Sequence, residues 1–530
     1  MTSFIHQLIA QSAVKYPNNI ALQLKSDELN YHELNTQIEH VAGCFTAIDL
    51  QRYERVGIYL PKTFENIFSI FGSSAAGGVF VPINPVLKAQ QVQHIVNDCD
   101  IKILITNRGR FSALKNMLNQ FCNISHIILT DGREEDESVM QGVRILTWQS
   151  LLSLSDQQLT QAPCTSSDMA AILYTSGSTG KPKGVVLSHN NIIQGAISVS
   201  TYLENTADDK ILALLPLSFD YGLSQLTTSF HVGATCVLLD YLLPNDVIKA
   251  INKYEITGLA AVPPLWSQLC ALNWPERTGD KMRYFTNSGG ALTTTNLTKL
   301  RSLMPKASPY LMYGLTEAFR STYLPPSEID NRPTSMGKAI PNAEVMVIRP
   351  DGGECEIDEP GELVHRGPLV SLGYWNSPEK TAERFKAAPS KPSGIILEEI
   401  AVWSGDTVKR DADGYLYFVA RADEMIKTSG YRVSPMEIEE VLYQHEHVAV
   451  AASLGVKHEQ LGQAILVIAA SNSIEHSANL ERSLFKHCQK ELANYMVPKK
   501  IIVVDSLPHN ANGKLDRALL HLTYNDYFSE

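Results

Sequence analysis

The chain has 530 residues, 44% of them hydrophobic and 19% charged, with a formal net charge of −11 at neutral pH. That length exceeds a single hydrophobic core, so two or more domains with room for a substrate pocket are expected. The acidic balance, with no basic stripe, speaks against a nucleic-acid partner, because phosphate backbones are held by clustered Lys and Arg.

In chain order, the opening MTSFIHQLIAQSAVKYP lacks a basic start and breaks its apolar residues with Gln and Ser, unlike a secretory signal. No run of about 18 apolar residues follows, so no membrane span is expected and the cytoplasm is the default compartment. As far as residue 420, apolar runs such as Val56–Leu60 and Ile101–Ile105 alternate with helix-like stretches such as 62–76. That alternation predicts α/β layering on largely parallel sheets. Gly132–Glu137 reads as a solvated loop. Eight cysteines without a CxxC pair favour reduced thiols over disulfides or a zinc site.

Between strand-like runs at 169–174 and 185–187 lies YTSGSTGKPKG, residues 174–184. A loop of Gly and Ser/Thr can aim backbone N–H groups and hydroxyls at phosphate oxygens, since glycine lets the backbone come close. It is not a Walker A loop: only Ser178 and Thr179 separate Gly177 from Gly180, and Pro182 follows Lys181. After Tyr415–Val419 the texture changes. A helix opened by Pro435 with Glu437, Glu439 and Glu440, strands at 448–454 and 464–470, a helix around 479–493 and a strand at 500–504 predict a small α+β domain. The expected division is a large domain over 1–421, a hinge at 422–423 and a small mobile domain over 424–530. His445-Glu446-His447 reads as a surface group, because three neighbours at a helix end point different ways.

YTSGSTGKPKG resembles the phosphate loop of the adenylate-forming superfamily of acyl-CoA synthetases, peptide-synthetase adenylation domains and luciferases. Similar motifs follow in order: Asn287–Ala291, Tyr313-Gly314-Leu315-Thr316-Glu317, Gly361-Glu362-Leu363 with Gly373-Tyr374-Trp375, Ser404-Gly405-Asp406, ARADEMIKTSGYRVSPMEIE (420–439) and NANGKLDR (510–517). A carboxylate attacking the α-phosphorus of ATP brings two anions together, so such a site must supply cations and exclude water. The resemblance implies ATP contacts from Thr175, Ser176, Gly177, Ser178, Thr179, Gly180 and Lys183. It also implies Tyr313 stacked on adenine, Gly289, Gly290 and Ala291 beside the base, and Asp406 on the ribose hydroxyls with Arg421 next to it. Thr316 would touch phosphate, and Glu317 would help hold Mg²⁺, which keeps some of its waters. Lys514, in an Asn-Gly turn, would place a point charge between the acid and the α-phosphate. The small domain would turn about Asp423 and bring the loop of Lys427 and Gly430 into the site for thioester formation. Ala420 stands where the family usually has Gly.

For the acid, Phe219-Asp220 matches the place where amino-acid activators carry the Asp that pairs with the substrate ammonium; Asp220 could instead be a turn residue before Gly222. By motif alignment Tyr221, Ser224, Ala261, Thr286, Ser288, Met312, Arg320 and Ser321 complete the pocket and suit a small, fairly polar acid. Arg320 either meets a second carboxylate or serves the structure or the nucleotide. Leu315 and SPMEIE resemble acyl-CoA synthetases, whereas NANGKLDR resembles amino-acid activators. The chain ends soon after LDRALL with no carrier domain, so the acceptor thiol is expected in trans, on a discrete carrier protein or on CoA. Ligases that load proline or a similar amino acid onto a carrier match this layout, with proline a guess. The alternatives are an AMP-forming acyl-CoA synthetase for a small acid, a nucleotide-binding module without catalysis, and a luciferase-like oxidase. Lys514, Glu317 and the 427–431 loop argue against the module, and nothing signals a luciferin pocket.

Overall fold

The alternating apolar runs become two large sheets, each parallel in its middle and antiparallel at its ends. The computed structural model describes residues 2–154, 164–175, 182–389, 394–421, 424–428, 431–458, 461–472, 477–492, 494–510 and 513–528. One sheet has eight strands in the order 183–188, 169–175, 79–82, 55–58, 101–106, 126–129, 143–147, 138–140. The other has nine, in the order 338–339, 322–324, 308–313, 284–287, 258–261, 210–213, 235–238, 20–24, 27–30. Central strands such as Ile101–Thr106 are almost uniformly apolar because both of their faces are covered.

Helices start where short polar side chains accept the unpaired N–H groups of the first turn. Thr63 caps Phe64–Ala75, the helix predicted over 62–76. Ser188 and Asn191 form a capping box on His189–Tyr202. Asn191 also donates to the carbonyls of Pro368 and Val370, both at 2.8 Å, tying that helix to the segment before Gly373. One core cluster takes in these helices, Asp220–Val232 and residues of both large sheets; a second cluster, with Val79, Ile101, Leu104 and Ile127, covers the other face of the eight-stranded sheet.

A five-stranded antiparallel sheet follows, ordered 344–348, 361–366, 400–410, 385–387, with 416–421 also paired to 400–410. The carboxy-terminal sheet is ordered 431–433, 426–428, 462–471, 448–458, with 500–504 parallel to 462–471. Pro435–Tyr443, Ser477–Glu491 and Arg517–Tyr524 are its helices among the described residues. Its two faces carry separate cores, one around Ile438, Leu442 and Leu484 and one around Leu454, Leu466 and Leu520. Asp423 and the proposed 422–423 boundary lie outside the described residues.

His445-Glu446-His447 falls in the turn after Pro435–Tyr443, with the ring of His487 5.8 Å from that of His445. Among the described residues no three His, Cys, Asp or Glu side chains are grouped to hold a metal ion. No described helix is long and apolar enough to cross a membrane.

Candidate active site

A cleft of about 2420 Å³ runs between the large domain and the carboxy-terminal sheet; Tyr313, Glu317 and Asp406 line it from one side, Glu439, Asn510 and Lys514 from the other. Its nucleotide-like wall starts at Tyr313, the last residue of the strand Ser308–Tyr313. The Tyr313 hydroxyl donates to Asp406 Oδ2 at 2.5 Å, and Arg421 Nε donates to Asp406 Oδ1 at 3.0 Å. Asp406 and Arg421 are register partners on adjacent strands, so the sheet itself fixes the pair. The Ser404 hydroxyl accepts from the Asp406 N–H at 3.0 Å. Asp406 thus stands within a strand beside Gly405, whose φ is +70°, rather than in a simple turn. Gly289 and Gly290 follow the strand Tyr284–Asn287, and Asn287 Nδ2 donates to the Gly290 carbonyl at 2.9 Å.

The phosphate-loop ends are the described parts of YTSGSTGKPKG: Thr175 closes the strand Met169–Thr175, and Lys183 opens its antiparallel partner Lys183–Ser188. Ser176, Gly177, Ser178, Thr179 and Gly180 lie outside the described residues. Thr175 Oγ1 is buried with no partner among the described residues. Lys183 Nζ lies 2.7 Å from the Tyr374 hydroxyl and 3.3 Å from Glu317 Oε1, while the Tyr374 hydroxyl donates to that same oxygen at 2.6 Å. Burial pushes Lys183 down, and the charge of Glu317 restores only part. For Glu317, burial pushes the carboxyl up, but Lys183 and Tyr374 outweigh it and leave the pKa below its ordinary value. Tyr374, the middle of Gly373-Tyr374-Trp375, thus bridges Lys183 and Glu317, a role that its motif alone does not announce.

The acid-side residues are brought together in a buried cluster next to Phe219, Met312 and Thr316, which line the cleft. Asp220 is the first residue of the helix Asp220–Val232, so its carboxylate stands at the positive end of the helix dipole. Gly222 is needed there, because a Cβ would lie 2.0 Å from the Pro216 carbonyl. Asp220 is buried, accepts from Thr316 Oγ1 at 3.1 Å, and has its pKa raised by burial against the opposing fields of Arg320 and Lys514. Tyr221 and Thr286 share a 2.5 Å hydroxyl contact, and Ser224 sits one turn beyond Asp220. Arg320 Nη1 donates to Ser288 Oγ at 2.8 Å, and its guanidinium carbon lies 4.6 Å from the Tyr221 ring centre. Ser321 contacts buried His365 at 2.9 Å, and burial pushes that imidazole down to about 4. Met312, on the strand before Tyr313, meets the Tyr202 hydroxyl through its sulfur at 2.9 Å, and Ala261 ends the strand Gly258–Ala261. Tyr202 and His365 are pocket neighbours that the motifs did not point to.

Lys514 enters this site from the carboxy-terminal domain. The turn before it is closed by Asn510, whose N–H donates to the Lys514 carbonyl at 2.7 Å and whose side chain accepts the Lys514 N–H at 3.1 Å; Gly513 supplies φ +76°. The Lys514 ammonium stands 5.1 Å from the centre of the Phe219 ring, and a Cβ on Gly289 would lie 2.9 Å from Lys514 Cε. Burial lowers its pKa, partly offset by Asp220. Lys427 lies in the short strand Ile426–Thr428 paired to 431–433, and the described residues of those two strands do not line the cleft. Gly430 lies outside the described residues, and so does the side chain of Lys427.

Comparison with known proteins matches residues 9–375 to the AMP-binding enzyme family and residues 437–514 to the AMP-binding enzyme C-terminal domain. Gramicidin S synthase 1 of Brevibacillus brevis is 27% identical over 97% of the chain, which covers 44% of that protein. The chain spans less than half the length of the first such synthetases it matches. A long-chain-fatty-acid–CoA ligase of Bacillus subtilis is 25% identical, with 97% of the chain and 94% of the ligase covered. The crystal structure of ATP-bound MatB from Rhodopseudomonas palustris superposes with a TM-score of 0.85 at 25% identity over 99% of both chains.

Proposed function

The chain belongs to the AMP-binding enzyme family, and we propose that, as an AMP-forming acid–thiol ligase of the adenylate-forming superfamily, it activates a small amino acid with ATP. In this reading the aminoacyl adenylate forms with release of pyrophosphate and is passed to the phosphopantetheine thiol of a separate carrier protein. Lys514 carries the proposal: a half-buried lysine from the carboxy-terminal domain stands beside Phe219 and Gly289 and within the field of Asp220, where the acid and the α-phosphate would meet.

The roles follow from the chemistry of each wall. Asp406, held by Tyr313 and Arg421, keeps lone pairs for two ribose hydroxyls. Lys183 and the unpartnered Thr175 hydroxyl face the departing pyrophosphate. Glu317 is a single ionised carboxylate, so a divalent ion here would rest on it, on nucleotide oxygens and on water, a donor set that suits Mg²⁺. When bound, the ion would offset phosphate charge. Lys514 orients the attacking carboxylate and opposes the charge that builds on the α-phosphoryl oxygens. Asp220 pairs with the substrate ammonium. Rotation about Asp423 would then exchange Lys514 for the loop of Lys427 and Gly430 at the thiol-transfer step.

ATP–pyrophosphate exchange screened over amino acids, with proline as the first compound, and over fatty acids tests the reading. Exchange with fatty acids alone would end it. A second reading, an acyl-CoA synthetase for a small acid, is favoured by Leu315 in YGLTE and by the full-length match to a CoA ligase. Discharge of the adenylate by CoA and not by a carrier protein would select it.

A further inference from the structure

The residues after Glu317 make an unusual turn. Thr316–Ala318 form a short 3₁₀ segment that ends at Phe319 with φ +56° and ψ −56°. A left-handed φ on a buried aromatic residue is costly and persists only where its surroundings impose it. Here Phe319 is 0% exposed and is clamped against Gly195, where a Cβ would lie 2.4 Å from its ring. The turn lets Glu317 bond Tyr374 while Arg320, three residues on, bonds buried Ser288 in the acid-side cluster.

Arg320 is only 2% exposed, yet its polar atoms are poorly served. Nη1 donates to Ser288, the guanidinium lies over Tyr221, and Nε is buried with no acceptor among the described residues. Arg320 makes no ion pair with a described carboxylate; Asp220 opposes its charge only at longer range. A buried guanidinium left without an anion is expensive, and a planar fork of this kind matches a carboxylate with two parallel hydrogen bonds. Asp220 and Arg320, buried beside the cleft, and Lys514, which lines it, thus act on one another through their fields, none in ion-pair contact with another.

We propose that Arg320 is the specificity-determining residue for the tail of the acid and that the substrate is a compact amino dicarboxylic acid. Asp220 takes its ammonium, Lys514 its reacting carboxylate and Arg320 its second carboxylate. The proposal rests on the amino-acid reading of Asp220 given above. A neutral amino acid such as proline leaves Arg320 buried without an anion, and a dicarboxylic acid without the ammonium leaves Asp220 facing a second negative charge. Only the amino dicarboxylic class meets all three groups.

The test is pyrophosphate exchange by the full chain with aspartate, asparagine, glutamate, glutamine, alanine, proline and succinate. Each acid and its amide have nearly the same shape, so their ratio reads the charge alone. An acidic amino acid should exceed its amide in kcat/KM by roughly 100-fold or more, and Arg320→Met should cut that ratio to below about tenfold. Should Arg320→Met lose ATP binding and so prove misfolded, the unmutated comparison decides alone. Equal exchange with acid and amide, or a preference for alanine or proline, overturns the proposal and leaves amino-acid activation standing. Exchange with succinate and no amino acid overturns both.

Discussion

Replacing Asp406 by Asn keeps the shape of the side chain and removes its charge. In the structure one carboxylate oxygen accepts from Tyr313 and the other from Arg421, leaving a lone pair on each for a ribose hydroxyl. The amide nitrogen of Asn cannot accept, so one of those bonds is lost and Arg421 loses its negative partner. Loss of one hydrogen bond to a charged group costs about 1.5–3 kcal/mol, which converts to roughly 10- to 150-fold in the KM for ATP. The assay is pyrophosphate exchange with ATP varied at saturating acid, then acid varied at saturating ATP. Only the first KM should rise. An equal rise in both, or none in either, refutes the placement of the ribose at Asp406.

Lys183→Ala should raise the ATP requirement and slow adenylation by about 10- to 100-fold, since the variant cannot oppose the charge of the leaving pyrophosphate; unchanged exchange kinetics would remove Lys183 from that role. Asp220→Ala should cost on the order of 2–5 kcal/mol toward amino acids and far less toward their deaminated analogues, and equal losses would make Asp220 structural. Because burial holds the Lys514 ammonium below the ordinary value of about 10.4, exchange should fall with rising pH earlier than for a solvated lysine. Lys514→Arg should move that limb to higher pH, and a limb that does not move would assign it elsewhere. The same depressed pKa means that the unfolded chain binds the proton more tightly, so this group's contribution to stability should grow as pH rises between its folded and unfolded values, readable in urea midpoints.

Much of the architecture could be read from periodicity. Ile101–Ile105, 448–454, 464–470 and 500–504 are strands, and 62–76 and 479–493 hold helices, because local apolar spacing and caps such as Thr63 decide those elements. Motif order brought Tyr313, Glu317, Asp406 and Lys514 to one cleft, but it did not reach what depends on distant partners. Tyr374 gains its place only from Lys183 and Glu317, which are remote in sequence. That Asp406 stands within a strand was not legible, because Ser-Gly-Asp spacing is the same for a turn and for a strand carrying a positive-φ glycine. The burial of Arg320 follows from the φ of Phe319, a torsion that residue identity argues against. Nor could spacing tell that Lys514 stands beside Gly289, a proximity between segments remote in sequence.

The central claim, that Lys514 serves formation of the adenylate and not its transfer, is tested most directly by separating the two half-reactions in Lys514→Ala. Pyrophosphate exchange should fall by at least about 100-fold, while a presynthesised aminoacyl adenylate should still be passed to a phosphopantetheine thiol at close to the unmutated rate. Exchange that persists, or an equal loss in both steps, would contradict the account.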